Sequence, residues 1–227
     1  MMSAPLPEPL DDAAFDQALI TASFRLAATE GWRNLRIAAA AQAGGLSLGR
    51  ARVRFPSRAA LLVRFGRLTD AAALAEVTTD GTVRDRLFGM LMRRLDLFQA
   101  HREGVQALLQ SLPFRPETTL LLGALTRRSM RWMLEAAGAG TAGLVGRLRV
   151  DGLTVVWLWT LRAWQRDDSA DLTATMAALD SALARAERAA GWLAFSGANA
   201  PAADGDASAE TAPSEEPAAE AGPPPPD

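Results

Sequence analysis

Eight arginines lie between Glu30 and Asp70 (Arg33, Arg36, Arg50, Arg52, Arg54, Arg58, Arg64 and Arg67), and no acid lies among them. Guanidinium groups gathered without counter-charge suit polyanions, because each phosphate they neutralise releases condensed counterions. Arginine is also the side chain best shaped for bidentate contact with guanine in the major groove. The competing reading is a solvated Arg-rich face, since all 24 basic residues are Arg and none is Lys. That usage reads as the codon bias of a GC-rich bacterial genome. Other chemistries are poorly supplied. There is no cysteine and one histidine, His101, so thiolate metal sites are excluded and a catalytic triad or His-based metal site would rest on one residue. His101 follows a helix, where capping its C-terminus is the expected task. Asp167, Asp168 and Asp171 surround Ser169 and read better as negative charge at a helix N-terminus than as metal ligands. No phosphate loop, nucleophile elbow or paired-acid motif is present. The expectation is a non-enzyme with no catalytic residue, metal or cofactor.

The elements that position these arginines read as helices throughout, with no alternating β-branched run and no hairpin dipeptide. Phe15, Leu19, Ala22 and Leu26 recur at helical spacing, with Asp11 or Asp12 to cap them and Gly31 to stop them. A short segment from Leu35 to Ala43 ends at Gly44 and Gly45. Ser47 then caps a helix that must end near Phe55, because Pro56 disfavours helical backbone before it. Ser57 caps a further helix from Arg58 to about Glu76. Three helices with a tight glycine-containing turn between the second and third predict a helix-turn-helix. Arg50 and Arg54 share one face of the helix after that turn, and Arg52 points elsewhere.

The run Gly45-Leu46-Ser47-Leu48-Gly49-Arg50-Ala51-Arg52-Val53-Arg54-Phe55-Pro56-Ser57-Arg58-Ala59-Ala60-Leu61-Leu62 resembles the signature of the TetR family of transcriptional regulators. Gly45, Ser47, Phe55, Ser57, Arg58 and Leu61 match that signature directly or conservatively. Arg52 and Arg54 stand where the family carries Tyr and His, and Ala40 stands where it carries Ile, which implies a looser head or an unusual DNA preference. The resemblance spans about residues 12–75. It implies an all-α protein with a three-helix helix-turn-helix head on a larger helical-bundle body, a homodimer that binds double-stranded operator DNA. Arg33, Arg36, Ser47, Arg50, Arg52, Arg54 and Arg58 are the expected DNA-binding residues.

The body is expected to hold five helices. Thr82 caps the first, from Val83 to about Ala100, and the second ends at Pro113. Pro116 opens the third, which runs to Gly138. The fourth, from about Ala142 to Trp164, is apolar nearly all round and is expected to be central or part of a dimer interface. The fifth is capped at Ser169 and runs to about Phe195. Bodies of the TetR type enclose a ligand among such helices, and Phe98, Leu109, Trp132, Trp157, Leu161 and Trp164 are the candidate lining of a pocket for a small apolar or lipid ligand. Ordinary core is the alternative reading of the same residues.

A second pattern runs through Trp132, Glu135, Ala136, Ala137 and Gly138, then Leu153, Val156, Thr160 and Trp164, then Asp168, Ser169 and Asp171, then Leu179 and Asp180. It resembles the accessory protein of ubiquinone biosynthesis that has a TetR-like fold. That likeness implies an alternative: a lipid- or isoprenoid-binding accessory protein that does not bind DNA. Gly191-Trp192-Leu193-Ala194-Phe195 would then meet a lipid interface, although covering the core edge is the blander role.

Composition bounds the whole. The first ten residues have no basic or apolar signal region, and the stretch from Gly152 to Trp164 is too short to span a bilayer. A cytoplasmic protein without integral membrane association is therefore expected. From 196 to 227 the chain is, apart from Asn199 and Thr211, Ala, Pro, Gly, Ser and acid, with nothing large and apolar to offset the entropy of ordering. The whole chain is formally −2 and this tail carries seven acids and no arginine, so residues 1–195 are net positive by five. The expected organisation is a disordered start (1–10), a head (11–76), a body (81–195) and a disordered acidic tail (196–227).

Overall fold

The structure, a computed structural model, describes residues 10–75 and 80–198. Among these, all regular structure is helical: α1 (Asp12–Glu30), α2 (Ile37–Ala43), α3 (Leu48–Arg54), α4 (Arg58–Leu74), α5 (Val83–Gln99), α6 (Arg102–Ser111), α7 (Pro116–Ala136), α8 (Gly143–Trp164) and α9 (Thr173–Ala198), with a 3-10 turn at Leu112–Phe114. The all-α class and the head-and-body architecture are as the sequence predicts.

Local chemistry sets the starts. Asp11, Ser47, Ser57 and Thr82 each accept a hydrogen bond from the backbone N–H three residues on, satisfying one of the orphan donors of the first turn. At Thr82 the bond is returned, since Asp85 accepts from the Thr82 backbone N–H and completes a capping box. Gly31 at φ 80° ends α1, and Gly45 at φ 64° makes the turn between α2 and α3. The last helix departs from expectation. Leu172 has φ 54°, so α9 starts at Thr173, and the Ser169 hydroxyl caps from outside by accepting from the Thr173 N–H. Asp167 supports the same turn by accepting from Ser169 and Thr175. The expected helix-terminal role is thus filled by Asp167, whereas Asp168 is exposed and faces Arg102.

The head is α1 to α4, cored by Leu19, Phe24, Ala40, Phe55 and Leu61, all fully buried. Ala40 is fully buried there, and a Cβ placed on Gly44, which closes α2, would lie 3.2 Å from that of Ala22 on α1. The body is α5 to α9, with α8 and α9 packed along each other. Helix α1 packs on α6, and α4 on both α5 and α7, so head and body share a seam. No described helix is long and apolar enough to cross a membrane. Residues 1–9, 76–79 and 199–227, which include nearly all of the expected disordered ends, lie outside the described residues, as do the side chains of Gly191 to Phe195. Helix α9 reaches Ala198, three residues beyond the boundary expected at 195.

Candidate functional site

The rotation of α3 is fixed by two rows of opposite charge. Asp12 and Asp16 stand one turn apart on α1, and Arg50 and Arg54 stand one turn apart on α3. Arg50 donates to Asp12 and to the Leu10 carbonyl, with its guanidinium 4.4 Å from the Phe15 ring centroid. Arg54 donates from Nε and Nη2 to Asp16 at 2.5 and 2.7 Å, and from Nη1 to Asp12. Arg64 of α4 joins the cluster through Asp16 and the Arg54 carbonyl. The Arg50 hydrogen bond holds Asp12 below the usual carboxylate range, and the Asp16 hydrogen bond raises Arg54. The predicted shared face of Arg50 and Arg54 exists, but it is turned to α1.

The other expected residues fall into two groups. Ser47 is committed as the α3 cap, and Arg58 donates to the carbonyls of Trp32 and Arg33, tying the loop after α1 to the start of α4. Arg33, Arg36 and Arg52 are exposed, and among the described residues none has a carboxylate partner. The outward face of α3 is Leu48, Gly49, Arg52 and Val53, since Ala51 and the following Phe55 are buried. Among the described residues, the outward face of this short helix carries one free cation, Arg52, and no acid, and is dimensioned and charged for a nucleic-acid groove. Nothing but the i,i+4 spacing of Asp12 and Asp16 announced this arrangement; from the sequence Asp12 was a candidate cap and Asp16 had no assigned part.

Behind the head, a run of rings crosses the seam. Phe24 and Phe65 of the head meet His101 at 5.4 and 5.8 Å, Phe65 meets Phe98 at 5.5 Å, and Phe98 meets Trp157 and Trp164 at 5.5 and 6.2 Å. His101 therefore opens α6 and packs against the head; it does not cap α5, whose final turn is closed by Ala100. Burial lowers the His101 pKa, with a smaller contribution from Arg25; Arg102 and Glu103 border the same cleft. The neutral ring is thus the folded form, and the unfolded chain takes up the proton first. Stability should be full above the ordinary histidine value of about 6.5 and fall as pH drops through it, levelling off below the folded pKa. Urea midpoints at pH 7.5 and 5.5 should differ more for the natural protein than for His101→Phe; an equal difference would show that His101 does not titrate across the seam.

The body contains a mostly apolar cavity of about 380 Å³, walled by Leu87, Leu134, Leu148, Leu153 and Leu183, with the charged Arg84, Arg149 and Glu187 also lining it. None of the six residues expected to line a pocket lines this one. Trp157, Trp164 and Leu161 are buried core, Phe98 and Leu109 pack against that core, and Trp132 is 56% exposed on α7. The space is lined by small residues, Gly152 of α8, Ala186 of α9 and Ala139 of the turn after α7, that leave it unfilled. Among the described residues, no group of three or more metal-ligating side chains is assembled.

No protein-family model matches the chain, and no curated protein matches it. Solved structures do. A TetR transcriptional regulator from Nitrosomonas europaea ATCC 19718 superposes with a TM-score of 0.62 at 23% identity, over 76% of this chain and 98% of that one. A TetR transcriptional regulator from Rhodococcus sp. RHA1 superposes with a TM-score of 0.54 at 17% identity, over 78% of this chain and 97% of that one.

Proposed function

We propose, from the premise that this chain has the fold of the TetR transcriptional regulators, that it is a DNA-binding transcriptional regulator and not an enzyme. The observation that carries this reading is the outward face of α3, where Arg52 stands exposed without an acid beside it. Arg33 and Arg36 supply phosphate contacts and Arg52 reaches base edges, while Arg50, Arg54 and Arg58 hold the head in shape. The partner is a double-stranded operator. A homodimer meets its two halves, because a two-fold protein matches a palindromic site. Helix α8 offers the second copy an exposed apolar row of Leu144, Leu148, Val155 and Trp159 at helical spacing. The 380 Å³ cavity falls within the range of roughly 300–1,000 Å³ typical of small-molecule sites. A small apolar ligand held there modulates operator binding if it prefers one spacing of the heads.

The test is binding of the full chain to fragments of its own upstream DNA across a salt series. Sequence-selective binding that falls steeply with salt, with two chains per duplex, is the expected result. Arg52→Ala should weaken it roughly ten- to a hundred-fold, the value of one good bidentate contact. Weak binding, equal for all fragments and unchanged by Arg52→Ala, would sink the reading. A lipid- or isoprenoid-binding accessory protein would then be the better description. Two observations favour that second reading: carboxylates of α1 already neutralise two of the three α3 guanidiniums, and the cavity wall is mostly apolar.

A further inference from the structure

Because Arg50 and Arg54 are held by Asp12 and Asp16, the face of α3 that can approach a partner is not a matter of choice. It consists of Leu48, Gly49, Arg52 and Val53. Val53 is 81% exposed and Leu48 46% exposed, so two branched apolar side chains stand beside Arg52 on the one face of α3 left open. Gly49 lies between them, and a Cβ there would meet nothing closer than the Ser47 hydroxyl at 4.0 Å, so the helix backbone itself can come close to a partner. Within this face, Arg52 is the one side chain able to donate a hydrogen bond.

The major groove displays a single apolar group on its base edges, the thymine C5-methyl. Resting on the proposed DNA-binding function, we infer that this chain reads its operator chiefly through thymine methyl groups packed on Val53 and Leu48, with Arg52 supplying the hydrogen bonds to an adjacent guanine. Leu48 and Val53 are five residues apart, about 7.5 Å along the axis at the α-helical rise. That distance is close to two base-pair steps of roughly 3.4 Å each, so the two methyl contacts fall on thymines about two base pairs apart, and Arg52, next to Val53 in the chain, reads a base pair near the Val53 contact. The occupant of this apolar face is therefore DNA of defined composition, selected by methyl groups more than by charge. Charge complementarity with the phosphates is supplied by Arg33 and Arg36, both exposed in the same head.

The experiment uses the full chain and duplexes selected by it from a random-sequence pool. The best duplex is then resynthesised with deoxyuridine for thymidine, one position at a time, which deletes only the methyl group. At two or more positions per half-site the affinity should fall about four-fold, the transfer value of one buried methyl. Val53→Ala should bind the thymidine duplex more weakly and lose the sensitivity at one of those positions, while unfolding at the same urea midpoint as the natural protein because Val53 is exposed. If a duplex is selected but every deoxyuridine version binds equally, the methyl readout is overturned and the DNA-binding function stands. If no duplex is selected, both fall together.

Discussion

Replacing Asp70 by Ala is expected to destabilise the fold by about 3 kcal/mol, near the lower end of what breaking a buried ion pair costs. Asp70 stands on α4, in the head, and its partners are in the body. Its Oδ1 accepts from Arg94 Nη1 of α5 at 2.5 Å, and its Oδ2 accepts from the Ser129 hydroxyl of α7 at 2.6 Å. Arg94 is 5% exposed, lies 5.1 Å from the Trp157 ring centroid of α8, and its Nε is buried without a hydrogen-bond partner. Burial lowers the Arg94 pKa and Asp70 works against that shift. Removing the carboxylate leaves a buried guanidinium with no counter-charge and orphans Ser129. The lower end of the range applies because the Asp70 side chain keeps 30% of its surface, so water can replace part of the bond. Asp70→Leu with Arg94→Met removes both charges and should recover most of the loss, since apolar replacement of a buried pair is often neutral or better. Urea midpoints followed by tryptophan fluorescence read both. Single and double variants equally destabilised would mean that shape, and not charge, makes this node.

What could be read from the chain beforehand follows the range of each interaction. Asp11, Ser47, Ser57 and Thr82 act on backbone three residues away, so their helices start where the sequence places them. Leu172 shows the limit: its positive φ is not written in residue type, and it moves the start of α9 past the expected cap. The arginine pair on α3 was legible as a shared face, but its direction depends on Asp12 and Asp16, 38 residues or more away. Matching i,i+4 rows of opposite sign were present in the sequence as a signal. Asp70 was legible only as the end of an acid-free stretch, because Arg94 and Ser129 come to it through tertiary packing. The cavity was hidden for a different reason. Large aromatic residues mark where a core is filled, whereas empty space is left by small ones such as Ala139, Gly152 and Ala186, whose coming together in space no periodicity reveals.

Gly104→Ala is expected to reverse the sign that this substitution normally has. Within a helix, Ala is favoured over Gly by about 1 kcal/mol. At Gly104 of α6, however, a Cβ would lie 2.4 Å from the Phe24 carbonyl oxygen and 2.8 Å from its carbonyl carbon, both backbone atoms of α1. Phe24 has no room to withdraw: it is 1% exposed and its ring meets Trp32, Phe65 and His101 at 5.8, 4.6 and 5.4 Å. The two helices must part, which opens the seam that α1 and α6 form between head and body. Overpacking of this kind costs about 1–3 kcal/mol, and because α1 also carries the carboxylates that orient α3, DNA binding should weaken alongside stability. Gly123→Ala supplies the control, since that exposed position on α7 has nothing within 4 Å of an added Cβ and should gain the ordinary helix preference. Opposite shifts of the two urea midpoints are the expected result. Should Gly104→Ala gain stability as Gly123→Ala does, α1 and α6 can separate freely, and the head is not held to the body by their close approach.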